Sequence, residues 1–359
     1  MSGRRILVAP DKFAGTLSAV EAAEAIAAGW RRTAPDDVID LAPLSDGGPG
    51  FVEVLYAAGG SRLQMTVRGP FGEPTTAVVL RAGETAYVES AQACGLALTG
   101  GRGAEHATSY GVGEMVRAAI DSEARRVVVG LGGSGTNDGG AGLLAALGAR
   151  ADLPLDRGGA ALAGLTRIDV PAVPGVELVA ASDVDNPLTG GRGASRVFGP
   201  QKGLGDHEVA FLDETLRQLA AAADPSLEAA PGAGAAGGLG YALLLVGAAF
   251  RPGFDVVAET IGLADRIATA DLVITGEGAL DATSAGGKAP VGIAGLAASA
   301  GRSCVALAGR VSLSSDQLRA HGFAAAYSLV EAVGEERAFA SPADALADLA
   351  AHVASWAPA

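Results

Sequence analysis

Short apolar runs alternate with Ala-rich stretches of helical period along most of the chain. Ile6–Ala9 and Val127–Leu131 read as buried strands, Val38–Leu41 and Glu177–Ala181 as short strands, and further strands are expected near 271–275, 304–308 and 325–329. The same pattern predicts helices at about 18–32, 110–122, 143–147, 206–223, 240–250, 289–300 and 342–355. Ser18 with Glu21 three residues on is a capping-box signature for the first of these. Residues 65–90 differ in texture. β-branched residues around a Gly/Pro connection predict a hairpin and antiparallel pairing there. Strand–loop–helix repetition elsewhere implies an α/β protein with parallel strands. The β-rich middle suggests a second domain inserted into the first.

Composition narrows the class. With 359 residues, the chain has room for one large domain or two ordinary ones. Hydrophobic residues make up 49% and charged ones 18%, which excludes disorder. The net charge of −14 argues against a basic nucleic-acid face. Cys94 and Cys304 form no CxxC and read as small buried residues of a reducing compartment. The four histidines form no metal-ligand pattern, so no zinc site is expected. Residues 229–250 carry no charge, but strong apolarity covers only Leu243–Phe250. A glycine-rich loop entering a buried helix explains this stretch better than a membrane span. The expected location is the cytoplasm.

Glycine is the outlier, at 53 residues, about twice the usual share. Much of it gathers with acids in five loops, most of them just after predicted strands: 11–15, 45–50, 130–142, 183–203 and 275–288. Glycine lets backbone N–H groups approach a phosphate, and a following helix N-terminus adds a favourable dipole. Acids in such loops suit Mg²⁺. The chain has only three lysines, Lys12, Lys202 and Lys288, and all lie in these loops. Lysine delivers a compact point charge to a phosphate oxygen. Each feature also has a plain structural explanation: turns for Asp11 and Asp46, helix caps for Asn137 and Asp138, an ion pair for Glu277 and Asp281 with Lys288. Asp183 and Asp185, two apart on an apparently extended segment, are expected to point the same way and to need a cation between them. Neither a Walker A motif nor the protein-kinase motif set is present. Around Gly130–Gly135 the glycine spacing of a dinucleotide site is imperfect and lacks its acid, so an oxidoreductase fits poorly.

The stretches VAPDKFAGTLSAVEAAEAIAAGW (8–30), SDGG (45–48), ATSYGVGEMV (107–116), GLGGSGTNDGGAGLLAALG (130–148), DVDNPLTGGRGASRVFGPQKG (183–203), PGAGAAGGLGYAL (231–243) and VITGEGALDATSAGGKAPVGIA (273–294) occur in order over nearly the whole chain. In these the sequence resembles the bacterial glycerate kinase family, the type distinct from P-loop kinases. The resemblance implies ATP- and Mg²⁺-dependent phosphorylation of D-glycerate to 2-phosphoglycerate. It implies a Rossmann/flavodoxin-like parallel-sheet domain (1–62 with 238–359) and an inserted, β-rich, swivelling α/β domain (63–237), with the active site in the cleft between them.

Asp183 or Asp185 would hold Mg²⁺ or accept the hydroxyl proton, supported by Asp138 and Asn137. Lys202, Lys288 and Lys12 would neutralise phosphates. Asp46, Arg192 and Asn186 would contact the substrate, Arg192 by gripping its carboxylate. Gly132, Gly133 and Ser134, with Gly276, Glu277, Gly278 and Asp281, would cradle the nucleotide. Three positions depart from the family pattern: Ala14, Pro49 and Thr283 stand where it carries Lys, Glu and Gln. They keep two alternatives open: a kinase of a related small hydroxy acid or polyol, or a weakened homologue that binds nucleotide without turnover. The expected partner is a small molecule, D-glycerate or similar, with no nucleic acid or membrane, and the assembly is compatible with a homodimer.

Overall fold

In the computed structural model, described over residues 3–13, 15–281 and 289–355, the chain divides into two compact units. The first comprises Met1–Asp46, Glu53–Leu55 and Phe254–Ala359; the second comprises Gly47–Val52 and Tyr56–Gly253. The stretch 63–237 lies inside the second unit, which extends beyond it at both ends. Lys288, Ala14 and Thr283 lie outside the described residues.

The main sheets are built from β1 (Arg5–Val8), β2 (Val38–Leu41), β3 (Ser61–Arg68), β4 (Pro74–Ala82), β5 (Thr85–Glu89), β6 (Arg126–Gly130), β7 (Glu177–Ala181), β8 (Ala249–Arg251), β9 (Leu272–Thr275), β10 (Ser303–Ala308) and β11 (Ala325–Ser328). The protein is thus α/β, with one parallel sheet and one mixed sheet.

The first unit holds the five-stranded sheet β11-β10-β9-β1-β2, parallel throughout. Every residue of β9 is buried, as a strand covered on both faces requires. Counted within the unit, the strand order is 2-1-3-4-5. In a doubly wound sheet of that order, the connections reverse direction between β1 and β9, which opens a crevice at their carboxyl ends. The helix Ala19–Thr33 covers the sheet. Its capping box is formed: Glu21 N donates to Ser18 Oγ at 3.2 Å, and Ser18 N donates to Glu21 Oε2 at 2.8 Å. Ile26 and Trp30 from this helix pack with Ile6, Leu346 and Leu349 in the core. It meets the helix Pro342–Ala354 at Gly29, where a Cβ would lie 1.9 Å from Ala347 O.

The second unit holds the six-stranded sheet β8-β7-β6-β5-β4-β3. Its β3–β4 and β4–β5 pairs are antiparallel and the others parallel, so the textured stretch 65–90 is the antiparallel edge. One expectation needs correction. The helix expected over 240–250 is Ala235–Leu245, and Ala249–Arg251 is instead strand β8, paired with β7. Gly247, with φ 87, makes the turn between them. The start of that helix is left-handed at Ala236, Gly237 and Gly238, so the glycine run does enter a buried helix through a loop-like turn. Small and aliphatic residues fill the core: Val127, Val129, Met115, Leu143 and Leu243. Both cysteines are free and buried. Among the described residues, no helix is long and apolar enough to cross a membrane.

Candidate active site

The crevice of the first unit is built on backbone hydrogen bonds that continue the sheet past its strand ends. After β1, Asp11 N donates to Gly276 O at 2.8 Å. After β9 and β10, Gly309 N donates to Glu277 O at 3.0 Å and Arg310 N to Gly278 O at 3.1 Å. After β11, Val330 N donates to Gly309 O at 3.1 Å. Two glycines make this possible. A Cβ on Gly276 would lie 2.0 Å from Leu307 O, and one on Gly309 would lie 2.4 Å from Gly278 O. Glycine here serves close approach of backbones at a site floor.

Above this floor lies a cavity of about 370 Å³. Following β1, β2 and β9 it is lined by Asp11, Lys12, Asp46, Glu277 and Asp281. Following β11 it is lined by Leu329, Val330, Ala338 and Phe339. Lys12 Nζ lies 3.0 Å from Asp46 Oδ1 and 3.8 Å from Asp11 Oδ1, so its charge is fixed at the crevice mouth. Of the residues expected here from sequence, the structure gathers Lys12, Asp46, Glu277, Gly278 and Asp281 in one cavity, with Gly276 in its floor. Arg310, Leu329, Val330, Ala338 and Phe339 carry no glycine–acid signature and were missed. The readable sign was an apolar pair, Ala338-Phe339, at the end of the charged run Glu335-Glu336-Arg337.

Lys288 apart, the remaining candidates belong to the second unit, several of them in a glycine node around 130–142. Gly132 packs so tightly on Gly48 that a Cβ would lie 2.4 Å from its Cα, and Pro49 stands over Gly133. Lys202 reaches beneath this node. It is 1% exposed, and its Nζ donates to Ser134 Oγ at 2.9 Å and Thr136 O at 2.7 Å. Gly237, at φ 72, leaves room for that ammonium, since a Cβ there would lie 3.0 Å from Nζ. Asn137 Nδ2 donates to Ser195 Oγ at 2.8 Å, and its Oδ1 is buried without a hydrogen-bond partner. Asp138 is buried and accepts from Ser109 N and Oγ, both at 2.8 Å, and from Gly140 N at 3.0 Å. Burial pushes its carboxyl pKa up against those bonds.

Asp183 and Asp185 lie in an irregular loop after β7 and take separate partners, so no common orientation follows from an extended segment. Gly253 N donates to Asp183 Oδ1 at 2.8 Å. Arg192 donates to Asp185 Oδ1 at 2.9 Å, with both side chains largely exposed. Asn186 Nδ2 donates to Arg192 O at 2.7 Å and closes the turn.

Burial pushes the Lys202 ammonium down to about 8, against the opposing pull of Cys94 and Asp138. Unfolded, this lysine titrates near 10.4 and therefore binds its proton more tightly than when folded. Between the two values the unfolded chain carries more protons, so stability rises with pH there and the burial cost is constant below pH 8. Relative to Lys202→Met, wild type should gain about 2 kcal/mol between pH 8 and pH 9.5. Urea unfolding of both proteins across that range checks it, and a flat difference would refute the buried charge.

The family model described as the glycerate kinase family matches residues 6–357. A glycerate kinase from Bacillus subtilis strain 168 is 40% identical, over 98% of this chain and 97% of its own. A glycerate 2-kinase from Escherichia coli K12 is 38% identical, over 92% of this chain and 91% of its own. A crystal structure from Salmonella typhimurium LT2 superposes with a TM-score of 0.81 at 36% identity, covering 99% of this chain and 98% of that one. Together with a parallel sheet whose crevice gathers one lysine among four carboxylates, these matches establish that the chain belongs to the glycerate kinase family.

Proposed function

We propose that the protein transfers the γ-phosphoryl group of ATP to D-glycerate, giving 2-phosphoglycerate and ADP. The name of the Escherichia coli relative supports the 2-position. The observation that carries the reading is the crevice at the β1–β9 reversal, with Lys12 held between Asp11 and Asp46 and facing a loop of glycine and acid. The strand order of this unit supports a flavodoxin-like fold, whose ligands sit at that crevice.

Phosphoryl transfer depends mainly on positioning and on neutralising charge. Lys12 supplies a point charge for phosphate oxygens. Gly276 and Gly278 keep the backbone low enough for a phosphate to approach. Arg192 is suited to the acceptor carboxylate. Its exposed pair with Asp185 is worth only about 0–1 kcal/mol, so a ligand carboxylate can replace Asp185 as its partner. Asp185, once released, is available to accept the hydroxyl proton.

Mg²⁺ fits the donor chemistry. Among the described residues, no three acidic, His or Cys groups converge as a metal cage. Mg²⁺ on a nucleotide needs only one or two carboxylates beside phosphate oxygens. Asp183 is the proposed holder while Asp185 serves as the base, and the ion would neutralise charge on the transferring phosphoryl group. Each of Asp183→Asn and Asp185→Asn should lower turnover about 10²-fold. Wild-type rates in both would remove these acids from the mechanism.

A coupled ADP-release assay with D-glycerate tests the whole reading. Turnover of another hydroxy acid or polyol, with none of D-glycerate, would replace the acceptor. ATP binding without ADP release on any acceptor would replace catalysis by binding alone.

A further inference from the structure

The cavity of the first unit has two chemically different ends. Its acids and Lys12 follow β1, β2 and β9, whereas Leu329, Val330, Ala338 and Phe339 follow β11. The sheet order sets these ends apart. From β1 across β9 and β10 to β11 there are three strand spacings, about 14 Å in all. A three-carbon acid has no apolar face and needs neither that length nor a cavity of about 370 Å³. A nucleoside triphosphate has both the length and the matching polarity.

Phe339 sharpens the assignment. It is 58% exposed, in a chain with only 9 phenylalanines and 4% aromatic residues. Its neighbour Ala338 is 5% exposed, which anchors the helix Glu335–Ala340 while Phe339 lines the cavity. Leu329 is buried and Val330 is pinned through its N–H to Gly309 O, so the opposite part of this wall is fixed. An exposed aromatic beside a fixed aliphatic wall at a cavity mouth suits a planar heteroaromatic ring, which stacks by its π-face.

We infer that Phe339, with Leu329 and Val330, forms the nucleobase platform of this cavity, and that the phosphates run from there toward Lys12. The inference rests on the kinase reading for the identity of the nucleotide and goes beyond it in placing the base.

Calorimetry with MgATP and with magnesium tripolyphosphate, which has the phosphates but no base, tests it on wild type, Phe339→Ala and Phe339→Tyr. Phe339→Ala should weaken MgATP about tenfold or more and leave tripolyphosphate within about twofold. Phe339→Tyr should keep most of the MgATP affinity. In the kinase assay the alanine variant should raise the KM for ATP far more than it lowers kcat. Unchanged MgATP affinity in Phe339→Ala would overturn the inference, as would equal weakening of both ligands. Loss of MgATP binding on Phe339→Ala in a protein that phosphorylates no acceptor would uphold the platform and reject the kinase reading.

Discussion

Lys12→Met should lower kcat/KM for phosphoryl transfer about 10²–10³-fold, the loss seen when one fixed donor at a site of developing charge is removed. The lysine stands 3.0 Å from Asp46 and 3.8 Å from Asp11, in a cavity that also holds Glu277 and Asp281. Four carboxylates repel a phosphate, and Lys12 opposes this beside Asp11 and Asp46, whereas Arg310 lines the cavity on the β10 side and is paired with Glu335. Methionine keeps the length and removes the charge. Its side chain is partly exposed, so the two ion pairs contribute little to folding, and stability should change by less than about 1 kcal/mol. Steady-state kinetics with urea unfolding on the same preparations checks both halves. Full activity in a folded Lys12→Met protein would remove Lys12 from the phosphate site.

Gly276→Ala should destabilise the first unit by about 3–5 kcal/mol and abolish nucleotide binding. The added Cβ would meet Leu307 O at 2.0 Å and Phe13 Cζ at 3.3 Å. A flexible side chain can move aside, but the Leu307 carbonyl is part of strand β10, where Leu307 pairs with Tyr327 of β11, and cannot move without disturbing that ladder. Overpacking of a core usually costs about 1–3 kcal/mol, and a backbone clash places this substitution above that range. The hydrogen bonds from Asp11, Gly309 and Arg310 to residues 276–278 would shift together. Urea unfolding and MgATP calorimetry read the two effects. Normal stability would show that the floor is less tightly built than described.

Much of this was legible in the sequence because buried parallel strands are continuous apolar runs. Glu177–Ala181 is a strand with those bounds, buried after its first residue; Val38–Leu41 is also a strand with its expected bounds, but at the sheet edge and not buried; and the Ser18–Glu21 cap is formed. The strand β8 was hidden because its three residues follow an Ala- and Leu-rich helix, and only pairing with β7 makes them extended. Glycine and lysine marked the polar end of the cavity, since both are residue types suited to a phosphate. Its apolar end was invisible for a different reason. Leu329 and Phe339 come near Lys12 only through the order of strands in the sheet, and no local pattern encodes that order. Lys202 shows the limit from the other side. Its position in a glycine loop marked it as special, but not that Ser134 and Thr136 would enclose it.

The ladder of hydrogen bonds beneath the cavity has a thermodynamic consequence. Association normally loses free energy to the ordering of loops, and each immobilised side chain adds to the loss. Here the backbone of residues 276–278 and 309–310 is already held by sheet-like bonds before any ligand arrives. That part of the conformational entropy was spent during folding. A ligand settling on this floor therefore keeps more of its contact energy as affinity, and the stability of the parallel sheet and the strength of binding become two readings of one set of bonds.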